Sequence, residues 1–156
     1  MTTTQHTFRF DPIDDATATR LRATHDVVYV ATAKPGYPCR RCLRDAEVGE
    51  QVILVSHDPF MQDSPYRSAS PIFLHAEPCS PDSVIDEMAL RLPDQLTARQ
   101  LSVRAFDEQA MMIDAAVVAG TDLGQTLDTF FSDTATDVVH VHNASRGCWA
   151  VNVRRS

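Results

Sequence analysis

The sequence predicts an α+β fold: a mostly antiparallel sheet of about seven strands with one packed helix. Three observations carry that class. Short runs of β-branched and aromatic residues recur along the chain, turn residues separate most of them, and the segment 121–132 has a clear apolar face at helical spacing.

In chain order, TFRF (7–10) reads as a short strand and IDDATATRLRAT (13–24) as a short N-terminal helix, with Asp14 and Asp15 as its start signal. DVVYVATA (26–33) has the continuous apolar run of a buried strand, which AKPGYPC ends with turn residues. EQVILVSH (50–57) is the strongest strand, and the Pro-, Asp- and Ser-rich DPFMQDSPYRSAS leads from it to the strand PIFLH (71–75). SVIDEMALRL (83–92) has helical spacing confined between Pro81 and Pro93. LSVRAFD and AMMIDAAVV read as strands joined by the turn DEQ. Thr121 is suited to cap the main helix, with Asp122 in its first turn and Leu123, Leu127, Phe130 and Phe131 on one face. DVVHVHN and CWAVNV close the chain as a hairpin through ASRG.

A chain of 156 residues with 44% hydrophobic and 22% charged residues has the make-up of one globular domain, 1–156, with a packed core. No apolar run reaches the roughly 20 residues that span a bilayer, and MTTTQHTFRFDPIDD lacks the basic and apolar regions of a secretion signal. The expected compartment is the cytoplasm, with no membrane partner. The net charge of −7 repels phosphate backbones and argues against nucleic acid. A small anionic molecule suits the local cluster Arg40, Arg41 and Arg44 better.

Chemistry concentrates in PCRRC and HAEPC. Cys39 and Cys42 have the spacing of a zinc knuckle, and His75 with Cys79 would complete a Cys3His set of soft donors suited to four-coordinate zinc. The cysteine pair precedes one strong strand and the second pair ends the next, so antiparallel pairing would bring them together. Against this, about 30 residues separate the pairs, where small zinc modules have roughly 12–20, and the bend after Cys42 is Leu43 rather than glycine. Two other readings stand beside it. The residues could be small buried groups at strand ends, or Cys39 and Cys42 could be a redox pair whose thiols Arg40 and Arg41 activate.

A further candidate is a clamp for a carboxylate or phosphate made from Arg40, Tyr66 and Arg67. His140 and His142 share one face of the last hairpin, where a polar outer face is a better reading than a two-histidine metal site. Cys148 could join either site only through the fold. The sequence contains no P-loop, dinucleotide fingerprint, G-x-S-x-G elbow or H-E-x-x-H motif.

YPCRRCLRDAEVGEQVILVSHDPF, SPYRSASPIFLH, RAFD and HVHNASRGCWAV together resemble the bacterial proteins grouped as domain of unknown function family 1203. The likeness runs from Tyr37 onward and rests on Pro38-Cys39-Arg40, Gly49-Glu50, Pro65-Tyr66-Arg67 and Phe73. It implies identity without an activity, substrate or cofactor. It also implies that Pro-Cys-Arg is more general than the full ligand set. Cys39, Arg40, Tyr66 and Arg67 would then form a common pocket, with Cys39 as nucleophile and Glu50 or His75 moving protons. Three functions follow: a zinc protein with a structural or catalytic site, a metal-free enzyme or anion-binding protein, and a non-catalytic interaction domain.

Overall fold

Eight strands form two antiparallel sheets in the computed structural model, which describes residues 8–24, 27–82, 84 and 91–156. The strands are β1 (Phe8–Asp11), β2 (Val28–Val30), β3 (Gln51–His57), β4 (Ser70–His75), β5 (Gln100–Phe106), β6 (Met112–Ala119), β7 (Val138–Asn143) and β8 (Trp149–Arg155). The larger sheet has the order β1-β8-β7-β5-β6, and the smaller one β2-β3-β4. The helices are α1 (Asp15–Thr24), the short α2 (Asp94–Thr97) and α3 (Leu123–Ser132). The class is α+β and mostly sheet, as the sequence predicts. The helical spacing at 83–92 falls largely on residues 83 and 85–90, outside the described residues.

The main core lies between α3 and the five-stranded sheet. Leu123, Leu127, Phe130 and Phe131 of α3 pack on Leu101, Val103, Val139, Val141, Val151 and Val153, which alternate along β5, β7 and β8. That alternation is the strand period of two meeting the helical period of 3.6. The helix start differs from expectation. A 3-10 turn, Gly120–Asp122, precedes α3, and Thr121 does not cap it. The turn is pressed against α2: a Cβ on Gly120 would overlap the Leu96 carbonyl oxygen and sit 2.6 Å from that of Arg99.

A second core joins the two sheets. Ile13, Ala18, Cys39, Cys42, Ile53, Ile72, Leu74 and Trp149 form one cluster, and the Trp149 backbone N–H donates to Ser70 Oγ at 3.1 Å. Helix α1 closes this side, with Asp14 Oδ1 accepting from the Thr17 N–H at 2.7 Å as a helix-start contact.

Two expectations about burial are corrected. DVVYVATA is predicted to be a buried strand, but β2 covers only Val28–Val30 at the sheet edge, and all three residues are exposed. An apolar run reports the company of apolar residues, and among the described strands β2 pairs with β3 alone, at the edge of its sheet. The second correction concerns His140 and His142, which are buried rather than on a polar outer face. The loop after β3 folds over β7, setting the Phe60 ring 4.7 Å from that of His140. Among the described residues no helix is long and apolar enough to cross a membrane.

Replacing Gly120 with alanine forces the 3-10 turn away from α2, since the clash is with backbone atoms that cannot rotate aside. The expected cost is about 3 kcal/mol by urea unfolding, the upper part of the usual range for overpacking. An unchanged midpoint would mean that α2 is not held against this turn.

Candidate metal centre

Residues 38–45 make a miniature hairpin. Pro38 bridges Asp45, the Cys39 N–H donates to the Arg44 carbonyl at 3.0 Å, and the Leu43 N–H donates to the Cys39 carbonyl at 3.2 Å. Closing so tight a loop requires a left-handed residue, and Leu43 adopts it at φ 60°. A glycine, which the sequence lacks after Cys42, is the usual residue for such a bend. The bend forms regardless, because the Leu43 side chain is fully buried in the main core and its packing offsets a backbone cost of about 1–2 kcal/mol.

The β3–β4 pairing brings the second half of the set to the first. In its register Val52 lies opposite His75, the last residue of β4, while Cys39 bridges Phe73 in parallel. The separation of about 30 residues is thus spanned by a hairpin whose two ends return to one place. The donor atoms of Cys39, Cys42, His75 and Cys79 all lie within 4.8 Å of one another. Cys39 Sγ is 3.7 Å from Cys79 Sγ, and Cys42 Sγ is 3.4 Å from His75 Nδ1. A tetrahedral zinc ion has sulfur donors about 3.8 Å apart and a sulfur–nitrogen pair about 3.6 Å apart.

The surroundings prepare the site for a cation. The His75 backbone N–H donates to Cys39 Sγ at 3.3 Å, and Arg22 of α1 donates through Nη2 to Cys79 Sγ at 3.4 Å and through Nε to the His75 carbonyl at 2.9 Å. Glu50 Oε1 lies 3.4 Å from His75 Nε2, which leaves Nδ1 turned to the sulfur atoms. Hydrogen bonding among the Cys39, Cys42 and Cys79 sulfurs holds the Cys39 thiol well below its ordinary pKa and drives that of Cys42 above its own. Hydrogen bonds to the Cys39 and Cys79 sulfurs push His75 up to about 10. A cation entering this pocket would displace protons held among these sulfurs and the imidazole.

A cavity of about 480 Å³ adjoins the cluster, with His75 and Cys79 in its wall beside Glu50, Glu77, Arg44 and Gln95. Sequence reasoning did not find Arg22, Gln95 or Arg99. Gln95 Nε2 donates to the Cys39 carbonyl at 3.0 Å, and Arg99 pairs with Asp45 at 2.6 Å, so α2 braces the knuckle. No motif marks these residues, since each acts through a contact distant in sequence.

The structure does not bring the clamp residues together. Arg40 is buried, with Nε donating to the Trp149 carbonyl at 2.8 Å, Nη1 to that of Pro38 at 2.7 Å and Nη2 to Cys148 Sγ at 3.0 Å. Arg67 is ion-paired on the surface with Asp58 and Asp63 at 2.6 Å each. Tyr66 is exposed, its ring 5.9 Å from that of Phe106. Cys148 thus accompanies Arg40 and lies outside the ligand set.

A family model described as "Protein of unknown function (DUF1203)" matches residues 36–155. The chain belongs to this family. All four donors of the DUF1203 chain, together with Glu50 and Arg40, lie within the matched span, whereas Arg22 precedes it. No curated protein and no solved structure matches the chain.

Two tests follow from this geometry. At Leu43 the usual order of glycine and alanine should reverse: both variants lose the buried side chain, but Leu43→Gly should be about 1 kcal/mol more stable than Leu43→Ala, since only alanine is strained at this φ. Urea titration of the pair measures it, and alanine equal to or better than glycine would contradict the left-handed bend.

The second concerns the buried histidines. Burial lowers His140 from 6.5 to about 3 and His142 to about 4, so both stay neutral in the folded chain. As pH falls below 6.5 the unfolded chain takes up their protons first, so their contribution is intact above that pH and declines toward pH 4. His140→Leu should remove up to about 1.4 kcal/mol per pH unit from the acid-side slope of stability. Identical slopes for the two proteins would show that His140 is not held neutral.

Proposed function

We propose that the protein binds zinc through Cys39, Cys42, His75 and Cys79. The observation that carries this reading is the convergence of the four donor atoms to within 4.8 Å. Two shorter spacings support it, the sulfur–sulfur and sulfur–nitrogen distances of 3.7 and 3.4 Å, which are close to tetrahedral edges. Three thiolates with one imidazole form a soft set that selects against calcium and magnesium, whose ligands are oxygens. The outer contacts also suit a metal-binding histidine and cysteines. A carboxylate faces the far ring nitrogen of His75, and N–H donors from His75 and Arg22 reach the sulfurs.

With four protein donors the primary role of the ion is structural: it staples the knuckle to the end of β4 and the loop that follows. Bound zinc is worth about 10–16 kcal/mol in small modules, so its removal should be plain even in a chain with its own hydrophobic cores. Protein purified without added metal is expected to carry about one equivalent of zinc by elemental analysis. Chelation should lower the thermal midpoint by at least about 10 °C, the equivalent of a few kcal/mol at this size. A metal-free protein whose midpoint is indifferent to both chelator and added zinc sinks the reading.

A further inference from the structure

The four donors are not held alike. Cys39 and Cys42 are fully buried in a knuckle closed by its own hydrogen bonds, and His75 is fixed at the end of β4 by pairing with Val52. Cys79 lies beyond the strand and is the only one of the four that is not buried. From Glu77 to Ser80 the backbone makes no hydrogen bond to another described residue. The sulfur of Cys79 is reached by Arg22 and by Cys39, and Cys79 itself forms part of the wall of the 480 Å³ cavity. Three rigid donors and one loosely tethered one, facing an open space, is the arrangement of a centre with three permanent protein ligands and an exchange position.

We propose that Cys79 is the exchangeable ligand of the metal centre and that a small thiol replaces it from the cavity. The proposal rests on the zinc reading above. A volume of about 480 Å³ is within the range of about 300–1,000 Å³ usual for small-molecule sites. The departing donor defines the incoming class: a thiolate restores the three-sulfur set and inherits the hydrogen bond that Arg22 gives to Cys79. The exchange balances without an oxidant or reductant. The metal–sulfur bond to Cys79 breaks, a metal–sulfur bond to the incoming thiol forms, and the thiol proton passes to Cys79.

Cobalt-loaded full-length protein tests this, with 2-mercaptoethanol as the probe and ethylene glycol as the thiol-free control. Cys79→Ser is expected to keep one equivalent of cobalt with weakened sulfur-to-cobalt charge transfer, which 2-mercaptoethanol restores and ethylene glycol does not. Cys39→Ser is expected to keep none. The inference is overturned if folded Cys79→Ser is as empty as Cys39→Ser, or if its spectrum ignores the thiol. Should Cys79→Ser fail to fold, alkylation of the zinc-loaded native chain by iodoacetamide decides the matter. Peptide mass spectrometry should find Cys79 modified before Cys39 and Cys42, and equal rates overturn the proposal. A native chain that takes up no cobalt and no zinc instead overturns the metal reading itself.

Discussion

The guanidinium of Arg40 is the interaction on which the rest of this structure depends. A full charge with 1% of its surface exposed must be solvated by the protein, and here two carbonyl oxygens and a sulfur do so. Burial lowers its pKa, but arginine starts so high that it stays charged. Its partners belong to different parts of the fold. Pro38 opens the knuckle, Trp149 begins β8, and the Arg40 backbone donates to Phe73 of β4 and accepts from Ile13 ahead of α1. One residue thus fixes the larger sheet, the smaller sheet and α1 relative to the cysteines on either side of it. Leaving the carbonyls of Pro38 and Trp149 unmet in the interior would cost more than the net worth of the bonds, which is why a charge can be retained there.

That constraint explains how four possible metal donors can converge with no ion among them. In small zinc modules the ligands converge only when the ion binds, and binding energy is folding energy. Here the knuckle is already closed by its own hydrogen bonds and braced by Arg40, Gln95 and the Arg99–Asp45 pair. Converging three sulfurs beside an imidazole shifts how they hold their protons: Cys39 is pulled below and Cys42 pushed above the ordinary thiol range, while His75 is pushed up to about 10. A cation entering this pocket would have to displace those protons. On the zinc reading the scaffold meets the ordering cost, and more of the binding energy would remain for holding the ion.

The convergence of Cys39, Cys42, His75 and Cys79, and the pairing that brings it about, were legible in the sequence because both rest on local rules. A two-residue gap between cysteines forces a tight turn, and two strong strands in succession tend to pair. The α+β class was legible for the same reason, from the apolar face of 121–132 and the alternation in β5, β7 and β8. What escaped depends on contacts between distant segments. The alternating pattern at His140 and His142 cannot reveal that Phe60 lies over His140, and the apolar run at Val28–Val30 cannot reveal that it borders solvent. Arg22 sits in a helix with no ligand motif, seventeen residues before the knuckle's first cysteine, yet it donates to Cys79. The proposed clamp is dispersed by a comparable limit. Neighbourhood along the sequence suggested that Arg40, Tyr66 and Arg67 could meet, but Arg40 is drawn inward by carbonyls while Arg67 stays on the surface between Asp58 and Asp63.

Unequal tethering of the donors has a physical origin in chain order. The knuckle supplies two donors from a loop closed on itself, and β4 supplies one at the end of a paired strand. A fourth donor reached by continuing the chain past β4 gains little further pairing: the Ala76 N–H still donates to the Gln51 carbonyl, but Pro78 offers no N–H. Loop geometry therefore leaves Cys79 at the margin, beside the cavity, while the interior holds the other three. Arg22 partly compensates: its contact with the Cys79 sulfur orients that side chain without fixing the backbone that carries it. An arginine donor can serve any sulfur that occupies this place, whereas a buried backbone would accept only Cys79. On the proposed exchange, the difference between a sealed structural site and an exchangeable one would come from how the backbone of Cys79 is held, rather than from the identity of the donors.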